Sequence, residues 1–416
     1  MCKHFIVIGI DDNESQWFAP KVEDIIRSHK VFSGGKRHHQ LVQSHLPSGC
    51  EWIDITVPLD EVFHRYQSYD VPIVVFASGD PLFFGFASTI QRILPEARIE
   101  LFPHFNSLQV LAHRLLMPYH DLRMVSLTGR SWHEFDTALI QQASKIGVLT
   151  DGQHTPSAIA TRMLHYGYDN YEMIVGEHLG SESEVVIDHL TLEEITHTTF
   201  SRPNCLILQL KHPLPSYSFG IPDHLFSVLE GRPQMITKAP VRLLTLSALD
   251  LPRRTSLWDI GFCTGSISIE ARLLFPHLHV TGFEVRQEGK ELMEENAKRF
   301  HVPGIQFFIT DFMDIDLDEL HDEEGQPIAR PDAVFIGGHG GNLPEMMTQV
   351  HHYLQPGGVM VYNCVDPQSI TDPRIRKDSE ALFFATAHRL NMQTEEPLCV
   401  AVNNYHPIHI LKATKK

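Results

Sequence analysis

Between Ser256 and Asn363, apolar runs alternate with amphipathic ones, and this constrains the fold more than any other feature of the chain. "SLWDIGF", "HVTGFEV", "IQFFITD", "DAVFIGG" and "GVMVYN" read as strands, rich in β-branched and aromatic residues. "TGSISIEARLLF", "GKELMEENAKRF" and "LPEMMTQVHHYL" carry apolar residues at helical spacing. Strands joined through helices lie parallel with right-handed crossovers, so this stretch is expected to form a doubly wound sheet of the nucleotide-binding type.

Ahead of it lies a seam, "KHPLPSYSFGIPDHLFSVLEGRPQMITKAP", whose prolines at 213, 215, 222, 233 and 240 interrupt any long helix or central strand. A linker is expected near His212–Gly220, dividing the 416 residues into domains 1–211 and 220–416. In the first, "HFIVIGI", "IVVFAS", "RIELFP", "MVSLTG", "IGVLTD", "EMIVGE" and "CLILQL" read as strands. "SLQVLAHRLLM" and "SAIATRMLHYG" read as helices, the second capped by Gly167. This domain too is α/β, its strands buried under helices.

No apolar run reaches membrane-spanning length, and "FIVIGI" lacks a cleavage region behind it, so it reads as a first strand. A net charge of -17 argues against a protein that tracks nucleic acid. The six cysteines, Cys2, Cys50, Cys205, Cys263, Cys364 and Cys399, form no CxxC pair and suit a reducing cytoplasm. Among 27 histidines, His38-His39 and His351-His352 are adjacent rather than four apart, and no HExxH occurs, so no metal site is expected.

In a doubly wound sheet, ligands bind beyond the carboxyl ends of the strands where strand order reverses. The loop Gly261-Phe262-Cys263-Thr264-Gly265 leaves the first strand of the second domain; its glycines allow close backbone approach and the following helix offers free N–H groups. Glu284 ends the next strand, about twenty positions on, where an acid accepts hydrogen bonds from ribose hydroxyls. Loop and acid serve a dinucleotide or S-adenosylmethionine. The missing middle glycine favours the latter, Asp311 suits an adenine amino group, and Asp259 suits an ammonium. The plain alternative is that Asp311 caps a turn and Glu284 a helix. Four glycines surround His339 in "DAVFIGGHGGN"; the histidine is either an acid–base group or an exposed member of a flexible turn. In the first domain, "ASGDPLFFG" turns sharply at Gly79 and Pro81 with Asp80 at its tip and Phe83 and Phe84 as apolar walls.

"VVFASGDPLFFG" resembles the glycine-aspartate-proline loop of the tetrapyrrole methyltransferases. "FSGGKRHHQL" resembles an early GG(R/K)RHL segment of that family's precorrin-6Y branch, and "PHFNSLQVLAHRLLMPYHDLRMVSLTGR" is similar to its serine-containing entry to the second subdomain. "LTDGQHTPSAIATRML" and "VGEHLGSESEVV" continue the likeness. "MITKAPVRLLTLSAL", "LWDIGFCTGSISIEA", "NAKRFHV" and "DAVFIGGHGG" resemble the decarboxylating partner of the same step. The order of segments is that of the fused, decarboxylating precorrin-6Y C5,15-methyltransferases.

The resemblance implies an N-terminal tetrapyrrole-methylase-like α/β domain of two subdomains and a C-terminal Rossmann-like S-adenosylmethionine-dependent methyltransferase domain. It implies one S-adenosylmethionine site per domain, held by Gly79, Asp80 and Ser107 in the first and by Asp259, Gly261, Thr264, Gly265, Glu284 and Asp311 in the second. Two methylations and one decarboxylation of a corrin precursor are expected, in a cytoplasmic homo-oligomer that binds neither nucleic acid nor membrane. A polycarboxylate substrate calls for local positive charge from Lys36, Arg37, Arg123, Arg130, Lys238 or Arg242, each otherwise a solvated surface charge. His339, Lys238 and Arg37 are the catalytic candidates. The chain departs from the family at Asp11 and Cys263, where glycines are usual. An NAD-dependent oxidoreductase, an RNA methyltransferase and a non-catalytic cofactor-binding protein are the rival readings.

Overall fold

The structure, a computed structural model, describes residues 3–365, 379–402 and 406–416; Cys2 lies outside them. The chain forms two compact units. The first comprises Met1–Arg130, Ser144–Thr161 and Tyr171–Lys211; the second comprises Ser131–Ala143, Arg162–Asn170 and His212–Lys416.

The first unit holds two sheets. Strands β1 (His4–Ile10), β2 (Val31–Gly34), β3 (Glu51–Asp54), β4 (Ile73–Ser78) and β5 (Arg98–Phe102) lie parallel in the order β3-β2-β4-β1-β5. Successive residues of β1 and β4 feed opposite cores: Phe5, Val7, Ile73 and Val75 on one face, Ile6, Ile8, Val74 and Phe76 on the other. Both faces are covered, which is why these strands read as unbroken apolar runs. The second sheet contains β6 (Arg123–Ser126), β7 (Lys145–Leu149), β8 (Tyr171–Glu177), β9 (Val185–Ile187) and β10 (Asn204–Leu210) in the order β6-β7-β10-β8-β9. Here β6 and β7 are parallel, whereas β10 runs antiparallel to β7 and β8.

The helix Pro156–His165 ends as its sequence suggests. Gly167 is left-handed at φ 76°, its N–H bonds to Leu164 O, and the Tyr168 N–H reaches Met163 O. These two bonds make a Schellman cap.

The sheet of the second unit contains β11 (Ser256–Ile260), β12 (His279–Glu284), β13 (Ile305–Ile309), β14 (Ala333–Ile336), β15 (Val359–Val365), β16 (Gln393–Thr394), β17 (Leu398–Val400) and β18 (Ile408–Thr414). Its order is β13-β12-β11-β14-β15-β18-β16, with β17 also on β18. Strands β11 to β15 are parallel, as the alternation of elements requires. Strand β18, which lies outside the stretch read as alternating, runs antiparallel to β15. Alternation again splits the core: Trp258, Ile260, Val334 and Ile336 lie on one face, Leu257, Val280, Ala333 and Phe335 on the other. Strand order reverses between β11 and β14, so the loops after these strands flank the crevice where such sheets hold ligands. Among the described residues no helix is long and apolar enough to cross a membrane, and Cys50, Cys205, Cys263, Cys364 and Cys399 form no disulfide with one another.

Candidate active sites in each unit

In the second unit, the loop after β11 is built from left-handed residues at alternate positions: Gly261 at φ 75°, Cys263 at 51° and Gly265 at 72°. A Cβ on Gly261 would lie 2.8 Å from Gly338 N, and one on Gly265 would lie 2.5 Å from Met293 Sδ. At Gly261 the obstacle is backbone and glycine is forced, whereas at Gly265 it is the Met293 side chain, added to the cost of a left-handed φ. Cys263 occupies a conformation that costs an L-residue about 1–2 kcal/mol, a cost that glycine would not carry there.

The loop is fastened to the end of β12. The Cys263 N–H donates to Glu284 Oε2 at 2.9 Å, while the Arg286 N–H and Nη1 donate to Oε1 at 2.9 and 3.0 Å. Glu284 is buried and caps no helix, contrary to the plainer of its two readings. The Cys263 thiol, 3.3 Å from Met235 O, is pushed up by burial and by the Glu284 charge. Thr264 is buried and its carbonyl accepts the Asn296 side-chain N–H at 3.0 Å.

Asp259, on β11, is fully buried. Oδ2 accepts the Ser268 hydroxyl at 2.6 Å, while Oδ1 has no hydrogen-bond partner among the described residues. Burial, with a smaller push from Glu284, raises this carboxyl to about 7. Asp311 is exposed, and Oδ1 accepts the Met313 N–H at 3.0 Å, capping the turn Phe312–Asp314. The His339 Nδ1 accepts the Gly341 N–H at 3.0 Å and the ring meets the Tyr362 ring edge-on at 5.6 Å.

Lys238 is half-buried and supplies the residue before the helix Ala239–Ala248. Arg242, one turn on, is not available to a substrate carboxylate. It is fully buried, pairs with Glu270 and with Asp223 at 3.2 Å, and donates to the carbonyls of Thr237 and Ile221. Its charge is consumed inside the fold because a buried guanidinium survives only when paired.

In the first unit, a cavity of about 540 Å³ opens beyond the carboxyl ends of β1 and β4, within the range of small-molecule sites. Gly79 and Ser107 line it; Asp80 does not, and its Oδ1 accepts the Leu82 N–H at 2.9 Å. Gly79 is left-handed at φ 58°, and a Cβ there would lie 2.8 Å from Asn106 Cα. Ser107 opens the helix Ser107–Arg114, which Asn106 and Gln109 cap reciprocally. Arg37 lines the cavity as an ion pair with Asp12. Arg130 donates to Ser126 Oγ at 2.9 Å and covers the face of Phe84, 5.0 Å from the ring centre. Asp11 folds its own loop, accepting from the Asn13 N–H and the Gln16 side chain at 3.1 and 2.8 Å. Sequence reasoning did not single out Asp12, His38 or Ser78 as cavity residues. The signal available was that His38 falls in the quoted "FSGGKRHHQL" segment.

Both crevices suit a ligand that presses on backbone, and the second offers a buried, half-satisfied carboxylate to a cation. Two family models match the chain, one described as Tetrapyrrole (Corrin/Porphyrin) Methylases over residues 5–196 and one as Precorrin methyltransferase domain over residues 231–401. A precorrin-6Y C(5,15)-methyltransferase (decarboxylating) from Sinorhizobium sp is 30% identical over 375 residues, spanning 86% of this chain and 84% of its own. A cobalt-precorrin-6B C(15)-methyltransferase (decarboxylating) from Salmonella typhimurium is 40% identical over 140 residues, 33% of this chain and 66% of its own. The crystal structure of a precorrin-6y C5,15-methyltransferase from Geobacter metallireducens GS-15 is similar at 29% identity and a TM-score of 0.40, covering 48% of this chain and 98% of that one. With a relative at 30% identity matched over 84% of its length, and a tetrapyrrole methylase match followed by a precorrin methyltransferase match, the chain belongs to the precorrin-6Y C5,15-methyltransferase (decarboxylating) family.

Proposed function

We propose that this chain methylates a precorrin-6-type macrocycle at C5 and C15 and decarboxylates its C12 acetate arm, in cobalamin biosynthesis. One S-adenosylmethionine binds in each domain, 1–211 and 220–416, of a cytoplasmic homo-oligomer. The supporting observation is that each unit carries its own strand-end loop closed by a left-handed glycine against neighbouring backbone, Gly79 in one and Gly261 in the other. Nicotinamide dinucleotide is the rival ligand for the second sheet. Cys263 in the loop departs from the glycine pattern of dinucleotide sites.

When bound, S-adenosylmethionine supplies an electrophilic methyl group on a sulfonium. The chain contributes position: Gly261 and Gly265 keep the loop close, Glu284 holds it to β12 and remains the acid for a ribose, and Asp259 presents a carboxylate oxygen to an ammonium. Thr264 and Asp311 complete that site, as Ser107 does beside Gly79, where Asp80 contributes by bracing the turn through the Leu82 N–H. Holding reacting groups in line is worth about 7–11 kcal/mol, enough that no covalent nucleophile is required. Decarboxylation leaves an electron pair for the conjugated macrocycle, so the protein need only orient the acetate arm and exclude water. Lys238 is the candidate cation for that arm now that Arg242 is spent internally, Arg37 is the candidate cation of the first domain, and His339 is the candidate proton carrier.

Calorimetry tests the two-site reading. Two molecules of S-adenosylmethionine per chain are expected, with Glu284→Ala removing one. A single molecule, abolished by Glu284→Ala alone, contradicts it.

A further inference from the structure

The segment "FSGGKRHHQL" contains a histidine whose hydrogen bonds fix its tautomer. His38 lies in the first turn of the helix Lys36–Val42, and its Nδ1 accepts the backbone N–H of Gly35 at 3.2 Å. A ring nitrogen that accepts an N–H bears a lone pair, so the neutral ring carries its proton on Nε2. Nε2 lies 2.8 Å from Ser78 Oγ and is therefore the donor. With its oxygen accepting from His38, the Ser78 hydroxyl directs its own hydrogen elsewhere. Ser78 ends β4 and is exposed, and both residues line the cavity of the first unit.

We propose that His38 orients the Ser78 hydroxyl as a hydrogen-bond donor to a ligand carboxylate in this cavity. Ser78 makes the contact and His38 is a positioning residue. The inference rests on the proposed function, whose two ligands both bring carboxylates: the amino-acid end of the methyl donor and the arms of the macrocycle. Arg37, on the same cavity wall, adds a cation, but its pairing with Asp12 leaves room for an uncharged donor beside it. Burial, reinforced by Arg37, pushes His38 down to about 4. The ring therefore stays neutral, and the hydrogen-bond polarity holds, at neutral pH.

Ser78→Ala, Ser78→Thr, His38→Ala and the double variant Ser78→Ala/His38→Ala, made in the full chain, test this with three probes. S-adenosylhomocysteine carries the amino-acid carboxylate, 5′-methylthioadenosine is the same nucleoside thioether without it, and uroporphyrin is a polycarboxylate macrocycle. Ser78→Ala and His38→Ala should each weaken one carboxylate probe about tenfold, the worth of a hydrogen bond to a charged group. Ser78→Thr should retain affinity, and the double variant should lose no more than either single one. Loss for S-adenosylhomocysteine alone, with 5′-methylthioadenosine unchanged, assigns the methyl donor's carboxylate; loss for uroporphyrin alone assigns a macrocycle arm. The ratio of wild-type to His38→Ala affinity should stay constant between about pH 6 and pH 8, because a ring this acidic does not titrate there. Unchanged affinities in Ser78→Ala, equal losses for the two nucleoside probes, or a ratio that shifts with pH overturns the proposal. A wild-type chain that binds neither S-adenosylhomocysteine nor uroporphyrin overturns the proposed function instead.

Discussion

Replacing Asp259 by asparagine should separate stability from binding. The carboxyl is fully buried, bonded on one oxygen to Ser268 and unpartnered on the other. Burial, with a smaller push from Glu284, raises it from 3.8 to about 7. A folded-state value above the unfolded one means that the native state holds the proton more tightly. The stabilising contribution is then complete below about pH 4 and is lost as pH rises through about 7. Three pH units at about 1.4 kcal/mol each give an upper bound of about 4 kcal/mol forfeited by pH 8. The variant Asp259→Asn has no proton to lose and still accepts from Ser268, but its amide adds a buried N–H that costs about 1–3 kcal/mol if unpaired. The difference in stability between variant and wild type should therefore move in the variant's favour by about 2–4 kcal/mol between pH 4 and pH 8. Native-state hydrogen exchange of the β11 amides reports this locally and avoids treating two units as one transition. Binding should move the other way, S-adenosylmethionine losing at least about tenfold in affinity to the second domain at pH 8. A stability difference that is constant across that range refutes the buried-carboxyl account.

Cys263→Gly relieves a left-handed side chain worth about 1–2 kcal/mol against a glycine entropy cost of about 0.5–1 kcal/mol. Stability should be unchanged or slightly raised, and S-adenosylmethionine affinity by calorimetry unchanged or improved; a large loss would mean that the thiol touches the ligand. Arg242→Leu strands the buried Glu270 carboxylate and should cost about 3–5 kcal/mol in denaturant unfolding; a cost below about 1 kcal/mol would contradict its role as an internal strut. Gly79→Ala drives a Cβ to 2.8 Å from Asn106 Cα at φ 58°, so one of the two calorimetric sites should disappear while the other persists.

The parallel core of both units was legible because buried strands read as unbroken apolar runs, β1 and β11 most clearly. The strands that escaped notice lack that signature. "VFSG" and "EWID" are short, and "IHILKAT" interleaves His409 and Lys412 with its apolar residues on an antiparallel strand. Glycines of the site were legible because a left-handed backbone favours glycine at Gly79, Gly261 and Gly265, with neighbouring backbone excluding a Cβ at the first two. Partnerships over long separations were not. Nothing near Arg242 in sequence announces Glu270, and nothing near Arg37 announces Asp12, so two residues read as substrate cations proved to be paired within the fold. Asp311 caps a turn through Oδ1, as one of its two readings expected. That assignment depends on the turn's own backbone, which residue type alone does not fix.

The most direct measurement is mass spectrometry of the product formed from a precorrin-6-type substrate with S-adenosylmethionine and the full chain. The account predicts two added methyl groups and the loss of one carbon dioxide. Product carrying both methyl groups with every carboxylate retained, or an unaltered macrocycle under conditions where the chain binds S-adenosylmethionine, would contradict it.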